Sequence, residues 1–158
     1  ILLGAWWCGA HVTAAPASAA ITFAAPGAEP LPGVVAIASL DPMGRDLGTP
    51  PDGTMDYVAE ARIHADDFLA LTPVSGSTPA LAGSTVDDVL ADARTRAGSL
   101  SLTRDSRALS THPWTIPDGV LADFLTPLAA GASLVHVTNP DPALLPGNRA
   151  TERTTVDL

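Results

Sequence analysis

A chain of 158 residues can bury roughly 70% of its unfolded surface around a core, and with 46% hydrophobic residues and a mean hydropathy of +0.24 it is not a disordered polar chain. Its net charge of −9 and pI near 4.5 exclude the basic face that nucleic acid requires and a polybasic attachment to membranes. The single cysteine, Cys8, excludes an internal disulfide and a cysteine zinc cage, and all 8 basic residues are arginines, so no lysine ammonium can serve a phosphate or acyl group.

Taken in chain order, "ILLGAWWCGA" suits a buried helix leading to a short strand around Val12. The apolar start and small-residue end of the first twenty residues also carry the outline of a secretory signal, without its Met or basic leader. The run is too short for a membrane span, which takes about twenty apolar residues. Because the chain opens on Ile1 inside a helix pattern and closes on the strand-like "TTVDL", it reads as a segment of something longer or as a gene product whose start is misassigned. A cytoplasmic location is expected. Residues 15–33 read as a Pro/Ala/Gly linker. "VVAIASL", 34–40, is a β-branched run of the kind buried on both faces in a parallel sheet. Residues 43–54 read as a loop, "YVAEARI" (57–63) as a strand and "FLALTPV" (68–74) as another.

"STVDDVLADARTRAG" is a helix by every local signal. Val86, Val89, Leu90, Ala93 and Ala97 share a face, and Ser84 or Thr85 caps with an acid three residues on. The basic residues sit in the last turn, and Gly98 is placed to stop it. "RALST" reads as a strand. Residues 117–131 read as a second helix capped by Asp118, with Val120, Leu121, Phe124, Leu125 and Leu128 inward and Pro127 kinking it. "ASLVHVT" (132–138) reads as a buried strand, and 139–150 as loop with one short helical turn. The alternation predicts an α/β fold, layered α/β/α with a largely parallel sheet, in one domain over 1–158.

Three stretches, in order and plausibly spaced, carry a resemblance. "LLGAWWCGAHVT" is similar to an L-L-G-A-x-x-A-G-A-V element. "DDFLALTPVSGSTPALAG" is similar, without gaps, to D-D-x-A-x-x-x-Y-T-S-G-T-T-G-x-P-K-G. "LTRDSRALSTHPWTIPDGVLADFLTPLAAGASLV" is similar to L-T-P-D-D-R-V-L-S-x-x-P-L-F-H-x-x-G-L with its following G-A-x-V-V. The chain thus resembles the adenylate-forming (AMP-binding, acyl-CoA synthetase-like) superfamily, and most nearly an actinobacterial family of short proteins similar to those enzymes. The resemblance implies part of an adenylate-forming N-terminal domain, in which the Ser/Thr/Gly loop offers amides and hydroxyls to ATP phosphates and a lysine adds charge. Ser75, Gly76, Ser77, Thr78 and Gly83 keep the matching type and are the implied nucleotide contacts. The tyrosine position is Pro73, the second glycine Pro79, the proline Leu81 and the lysine Ala82; Ile116 stands where the family often has His, with His112 four residues earlier. The family's later acid, its ribose-binding Asp and its C-terminal lysine fall past Leu158. Pro79 lacks an amide donor and Ala82 lacks a cation, so the resemblance implies a catalytically degenerate protein with at most weak binding of ATP, AMP or an acyl-adenylate.

Simpler readings stand beside this one. "VSGSTPALAG" also reads as a solvent loop whose hydroxyls bond their own backbone. "HADD" (64–67) places a His beside carboxylates, but no further ligand pair follows for a metal. Ser75, His112 and Asp118 could assemble a hydrolase triad, without a G-x-S-x-G elbow. His136 reads as a satisfied core histidine, and Trp6 and Trp7 as packing residues or as part of a face covered by a missing remainder. Alternative functions are a non-catalytic interaction or regulatory module, with a protein partner or a homo-oligomer, and a small secreted protein.

Overall fold

The fold is that of a computed structural model, which describes residues 1–29, 31–39, 41–65, 67, 69 and 72–158. In chain order the elements are α1 (Leu2–Trp7), a 3-10 turn (Pro16–Ser18), β1 (Ile21–Ala24), β2 (Val34–Ile37), β3 (Thr54–Asp56), α2 (Tyr57–Arg62), β4 (Pro79–Leu81) and β5 (Ser84–Thr85). There follow α3 (Val86–Ser99), β6 (Arg107–Ser110), a π-helix (Val120–Leu125), α4 (Thr126–Ala129), β7 (Ser133–His136), α5 (Leu145–Glu152) and β8 (Val156–Asp157). The fold is mixed α/β with parallel sheets. Its contacts divide into two units, Ala15–Thr72 and Ile1–Ala14 with Pro73–Leu158.

In the unit Ala15–Thr72, β2 lies between β1 and β3, parallel to both. Val35, Ala36 and Ile37 are buried as the β-branched run predicts, whereas Val34 is exposed. The segment expected to be a linker supplies a strand instead. Ile21-Thr22-Phe23 has the side chains that a pleated surface favours, and it pairs in register with Val34–Ala36. "YVAEARI" is a helix, not the expected strand. The Asp56 side chain caps it by accepting from the amides of Val58 and Ala59, and the Ala, Glu and Arg that follow are strong helix formers. A third amide, that of Leu47, also bonds this carboxylate. Burial pushes the Asp56 carboxyl up, but the amides of Leu47, Ala59 and Val58, aided by Arg62, leave it below the usual range. The strand expected at 68–74 falls partly on Phe68, Ala70 and Leu71, outside the described residues, and Thr72–Val74 is not a strand.

In the unit Ile1–Ala14 with Pro73–Leu158, β6 is the centre of a parallel sheet ordered β7-β6-β8. Ala108, Leu109 and Ser110 are buried in it. β7 is an edge strand and only half-buried, which corrects the expectation of a fully covered one. Ala80, Leu81, Val89, Ala93, Val120 and Leu121 form a core cluster onto which Leu2, Trp6 and Val12 pack. α1 therefore contributes one stripe and is not the buried helix its apolar sequence suggests. Val12 makes a parallel bridge to Leu81, the short strand contact expected there.

α3 follows its sequence signals closely. Thr85 and Asp88 complete the capping box, and Val89, Ala93 and Ala97 are buried. Leu90 is exposed, however, and the helix runs through Gly98 to Ser99; the left-handed residue beyond it is Ser101, at φ 54°. The second predicted helix departs further. Pro127 has no amide to donate, and both the amide and the hydroxyl of buried Thr126 turn to the carbonyl of Leu121, the latter at 2.8 Å. The chain before the proline is thereby wound as a π-helix and α4 continues from it. Asp118 does not cap this helix; the cap position is Gly119, and Leu128 is exposed. Residues 139–150, expected to be mainly loop, contain most of α5, whose Arg149 bonds Asp157 at 2.8 Å while Arg107 reaches Glu152. The closing strand β8 forms as its β-branched residues predict.

Candidate functional site

The first half of the Ser/Gly/Thr stretch, 75–78, is a largely exposed turn in which Ser75 Oγ accepts from the Ser77 amide, as the simpler reading expects. The second half is a hairpin, β4 and β5, turned by Ala82 at φ 48° and Gly83 at φ 94°. Two consecutive positive φ values suit a two-residue hairpin turn, and Ala82 adopts the left-handed region without the freedom of glycine. Leu81 anchors the hairpin in the core, while the carbonyl of Ala80 accepts from Trp6 Nε1 at 2.9 Å and from the Val12 amide at 2.8 Å. Trp6 is thus a packing residue, as expected.

Most of the loop's backbone donors already have acceptors within the chain. The Ser77 amide bonds Ser75 Oγ at 3.3 Å and the Thr78 amide the Ser75 carbonyl at 3.0 Å. The Ala82 amide goes to the Val12 carbonyl at 2.9 Å, and the Gly83 amide to His11 Nε2 at 2.8 Å. Pro79 has no donor. At the start of α3 the Val86 and Asp87 amides bond the carbonyls of Thr78 and Gly76, both at 2.9 Å, and the Asp88 amide bonds Thr85 Oγ1 at 3.2 Å. Ser75 Oγ and Ser77 Oγ lie 3.0 Å apart and share one hydrogen bond.

The electrostatics run against an anion. The Asp87 carboxylate packs directly on Gly76, in the space a Cβ there would occupy. Asp88 accepts from the hydroxyl of Thr85 at 2.6 Å and from its amide at 3.2 Å, and those two bonds hold its carboxyl below the usual range. An adjoining cleft of about 350 Å³ is lined by Ala82, Ser84, Asp88, Asp92, Arg96 and Asp118 among others. Its one guanidinium, Arg96, already pairs with Asp92 at 3.2 Å. The helix N-terminus that would attract a phosphate is occupied by the chain's own carboxylates.

The structure brings Ser75, Gly76, Ser77 and Thr78 together in one turn and puts Gly83 at the far end of β4, on the hairpin tip. The alternative triad of Ser75, His112 and Asp118 does not form: His112 faces Asp123, with Nδ1 and Oδ1 3.4 Å apart, while Asp118 lines the cleft. His136 has a partner, as expected, but is half-buried rather than in the core; its Nε2 lies 2.9 Å from the His112 carbonyl and its ring stacks on Trp114. Asp66 of "HADD" lies outside the described residues, and among the described residues no three His, Cys, Asp or Glu side chains gather to hold a metal. No described helix is long and apolar enough to cross a membrane.

Sequence reasoning missed His11 as the partner of Gly83, Asp87 as the neighbour of Gly76, and Asp123. Only Asp123 left a signal, an acid set within the apolar pattern of 120–128.

No protein-family profile matches the chain, and no solved structure does. A protein of Mycobacterium tuberculosis, named a TIGR03089 family protein, is 40% identical over 165 aligned positions, which cover 98% of this chain and 67% of that relative. At that identity and coverage, the chain belongs to the TIGR03089 family.

Proposed function

We propose that the chain is part of an adenylate-forming-like N-terminal domain whose phosphate loop has kept its shape and lost its ligand chemistry. It does not activate acyl groups, and it binds ATP, AMP or an acyl-adenylate weakly at most, through Ser75, Gly76, Ser77 and Thr78. The observation that supports this reading is the state of the loop's donors. The amides of Ser77, Thr78 and Gly83 are bonded within the chain, and the Asp87 carboxylate lies on Gly76 where a phosphate would approach.

The magnitudes agree. A hydrogen bond to a charged group contributes about 1.5–3 kcal/mol, so an alanine at the lysine position removes about a factor of ten to a hundred in affinity. Like-charge repulsion from Asp87 and Asp88 acts in the same direction. Calorimetric titration with ATP and with AMP is expected to give no saturable binding in the micromolar range. Pyrophosphate released from ATP and a carboxylic acid by the purified chain would overturn the proposal, as would a nucleotide-induced thermal shift that Thr78→Ala abolishes.

A further inference from the structure

The least expected buried group outside the loop is the carboxylate of Asp123. It belongs to the π-helix beside Val120, Leu121, Phe124 and Leu125, and its side chain is only 6% exposed. Burial of a carboxylate is heavily penalised unless a partner compensates. The partner here is His112 Nδ1 at 3.4 Å, on a side chain that is 61% exposed. The exposed imidazole is therefore tethered to the interior through one ring nitrogen.

The surroundings fix that arrangement. The His112 amide donates to buried Ser110 Oγ at 3.3 Å, and the His112 carbonyl accepts from His136 Nε2 at 2.9 Å. The His136 ring stacks on Trp114 with centroids 4.9 Å apart, and Trp114 packs on Phe124 at 4.6 Å. Ser110 ends β6 and His136 ends β7, and these strands are parallel. The cluster thus lies at the carboxyl edge of a parallel sheet, where open α/β sheets collect their ligands. A π-turn is also a frequent device at functional sites.

We propose that His112 is a general base, held by Asp123 as its positioning residue, for water, a hydroxyl or a thiol bound beside Trp114. Asp123 accepts the proton of Nδ1, which leaves the Nε2 lone pair as the proton acceptor. With a carboxylic ester as probe, the oxygen of water bonds to the acyl carbon while its proton passes to Nε2. The bond from that carbon to the leaving oxygen then breaks, and the leaving oxygen recovers the proton from Nε2. The products are an acid and an alcohol, and Nδ1–H stays on Asp123 throughout. This inference stands apart from the phosphate-loop reading, because no residue is shared.

Nitrogen-15 NMR of the imidazoles in the unaltered protein tests the tautomer, and hydrolysis of p-nitrophenyl acetate tests the base. His112 is expected as the Nδ1–H form. The protein is expected to exceed an equal concentration of free imidazole by on the order of a hundredfold, with a solvent isotope effect that marks proton transfer. His112→Gln should remove the excess rate, and Asp123→Asn should lower it at least about tenfold and shift the tautomer. An Nε2–H tautomer for His112 in the unaltered protein, a rate no greater than that of imidazole, or a rate indifferent to His112→Gln would each overturn the proposal.

Discussion

Two glycine substitutions of identical chemistry should move stability in opposite directions. Gly98 lies inside α3 with nothing within 4 Å of the place a Cβ would take. Alanine there restricts the unfolded chain and favours the helix, so Gly98→Ala should stabilise by about 0.5–1 kcal/mol. Gly119 also has helical backbone, φ −65° and ψ −40°, and would collect the same gain. Its Cβ, however, would run into the Pro113 carbonyl oxygen, with Thr115 Oγ1 at 3.0 Å and Trp114 Cα at 3.1 Å. A flexible side-chain tip could rotate away, but a backbone carbonyl cannot. Overpacking costs about 1–3 kcal/mol, and a backbone obstacle belongs at the upper end, so the net for Gly119→Ala is a loss of about 2 kcal/mol. For a chain of this size that is roughly 4–8 °C in Tm. Urea unfolding followed by tryptophan fluorescence reads the right unit, because Trp6, Trp7 and Trp114 all belong to it. If Gly119→Ala stabilises as Gly98→Ala does, the close turn from Pro113 into the π-helix is not as described.

Ala82→Gly should stabilise slightly, by about 0.5 kcal/mol, since relief of a left-handed alanine outweighs the added chain entropy; a raised urea midpoint at unchanged m-value checks it. Thr85→Ala removes the cap of α3 and should destabilise by about 1 kcal/mol, with the Asp88 carboxyl rising toward its ordinary value in a carbon-13 titration; an unmoved Asp88 would refute the capping box. Leu109→Ala, at the centre of the β7-β6-β8 sheet, should destabilise by about 2–5 kcal/mol in equilibrium unfolding. Asp56 and Asp88 have folded carboxyls below their unfolded values, so their contribution is complete above the unfolded value and lost as pH falls through the folded one. Urea midpoints should therefore decline from about pH 5 toward pH 2, and Asp56→Asn should flatten that decline.

Local rules read this sequence well wherever a single residue's chemistry decides. The box of Thr85 and Asp88, the strand at Val34–Ile37 and the strand at Arg107–Ser110 were all legible because capping and β-branched runs act within a few residues. They failed where a distant or unusual partner decides. "YVAEARI" alternates like a strand, but Asp56, one residue before it, caps a helix by accepting from Val58 and Ala59, and the Leu47 amide that holds the same carboxylate is nine residues away. Residues 117–131 have helical periodicity, yet Pro127 and Thr126 change the period to that of a π-helix, so the inward face drifts and Leu128 is left exposed. At the candidate loop the residue types were legible and their partners were not. Neither His11 at Gly83 nor Asp87 at Gly76 is marked by any spacing, since both contacts arise only when the hairpin closes on the unit's first residues and on α3.

On the function proposed above, those contacts account for a loop that would keep the outline of a phosphate cradle without the phosphate. In a working anion site, amides and hydroxyls left unbonded by the protein are satisfied by the ligand when it is bound and by water when it is not. Here most of these groups are satisfied internally: Ser75 serves the amides of Ser77 and Thr78, His11 serves Gly83, and Thr85 exchanges bonds with Asp88. What then maintains the geometry is packing. Leu81 lies in the core with Val89 and Val120, and Ala80 is bonded by both Trp6 and Val12, so the hairpin's position is set by the fold and not by what it might bind. A conformation held in that way needs no lysine, tolerates Pro79 at the edge of β4, and admits carboxylates at the start of α3 that a phosphate site would reject. The shape of the loop is on this account evidence about packing, and only the state of its donors and charges bears on binding.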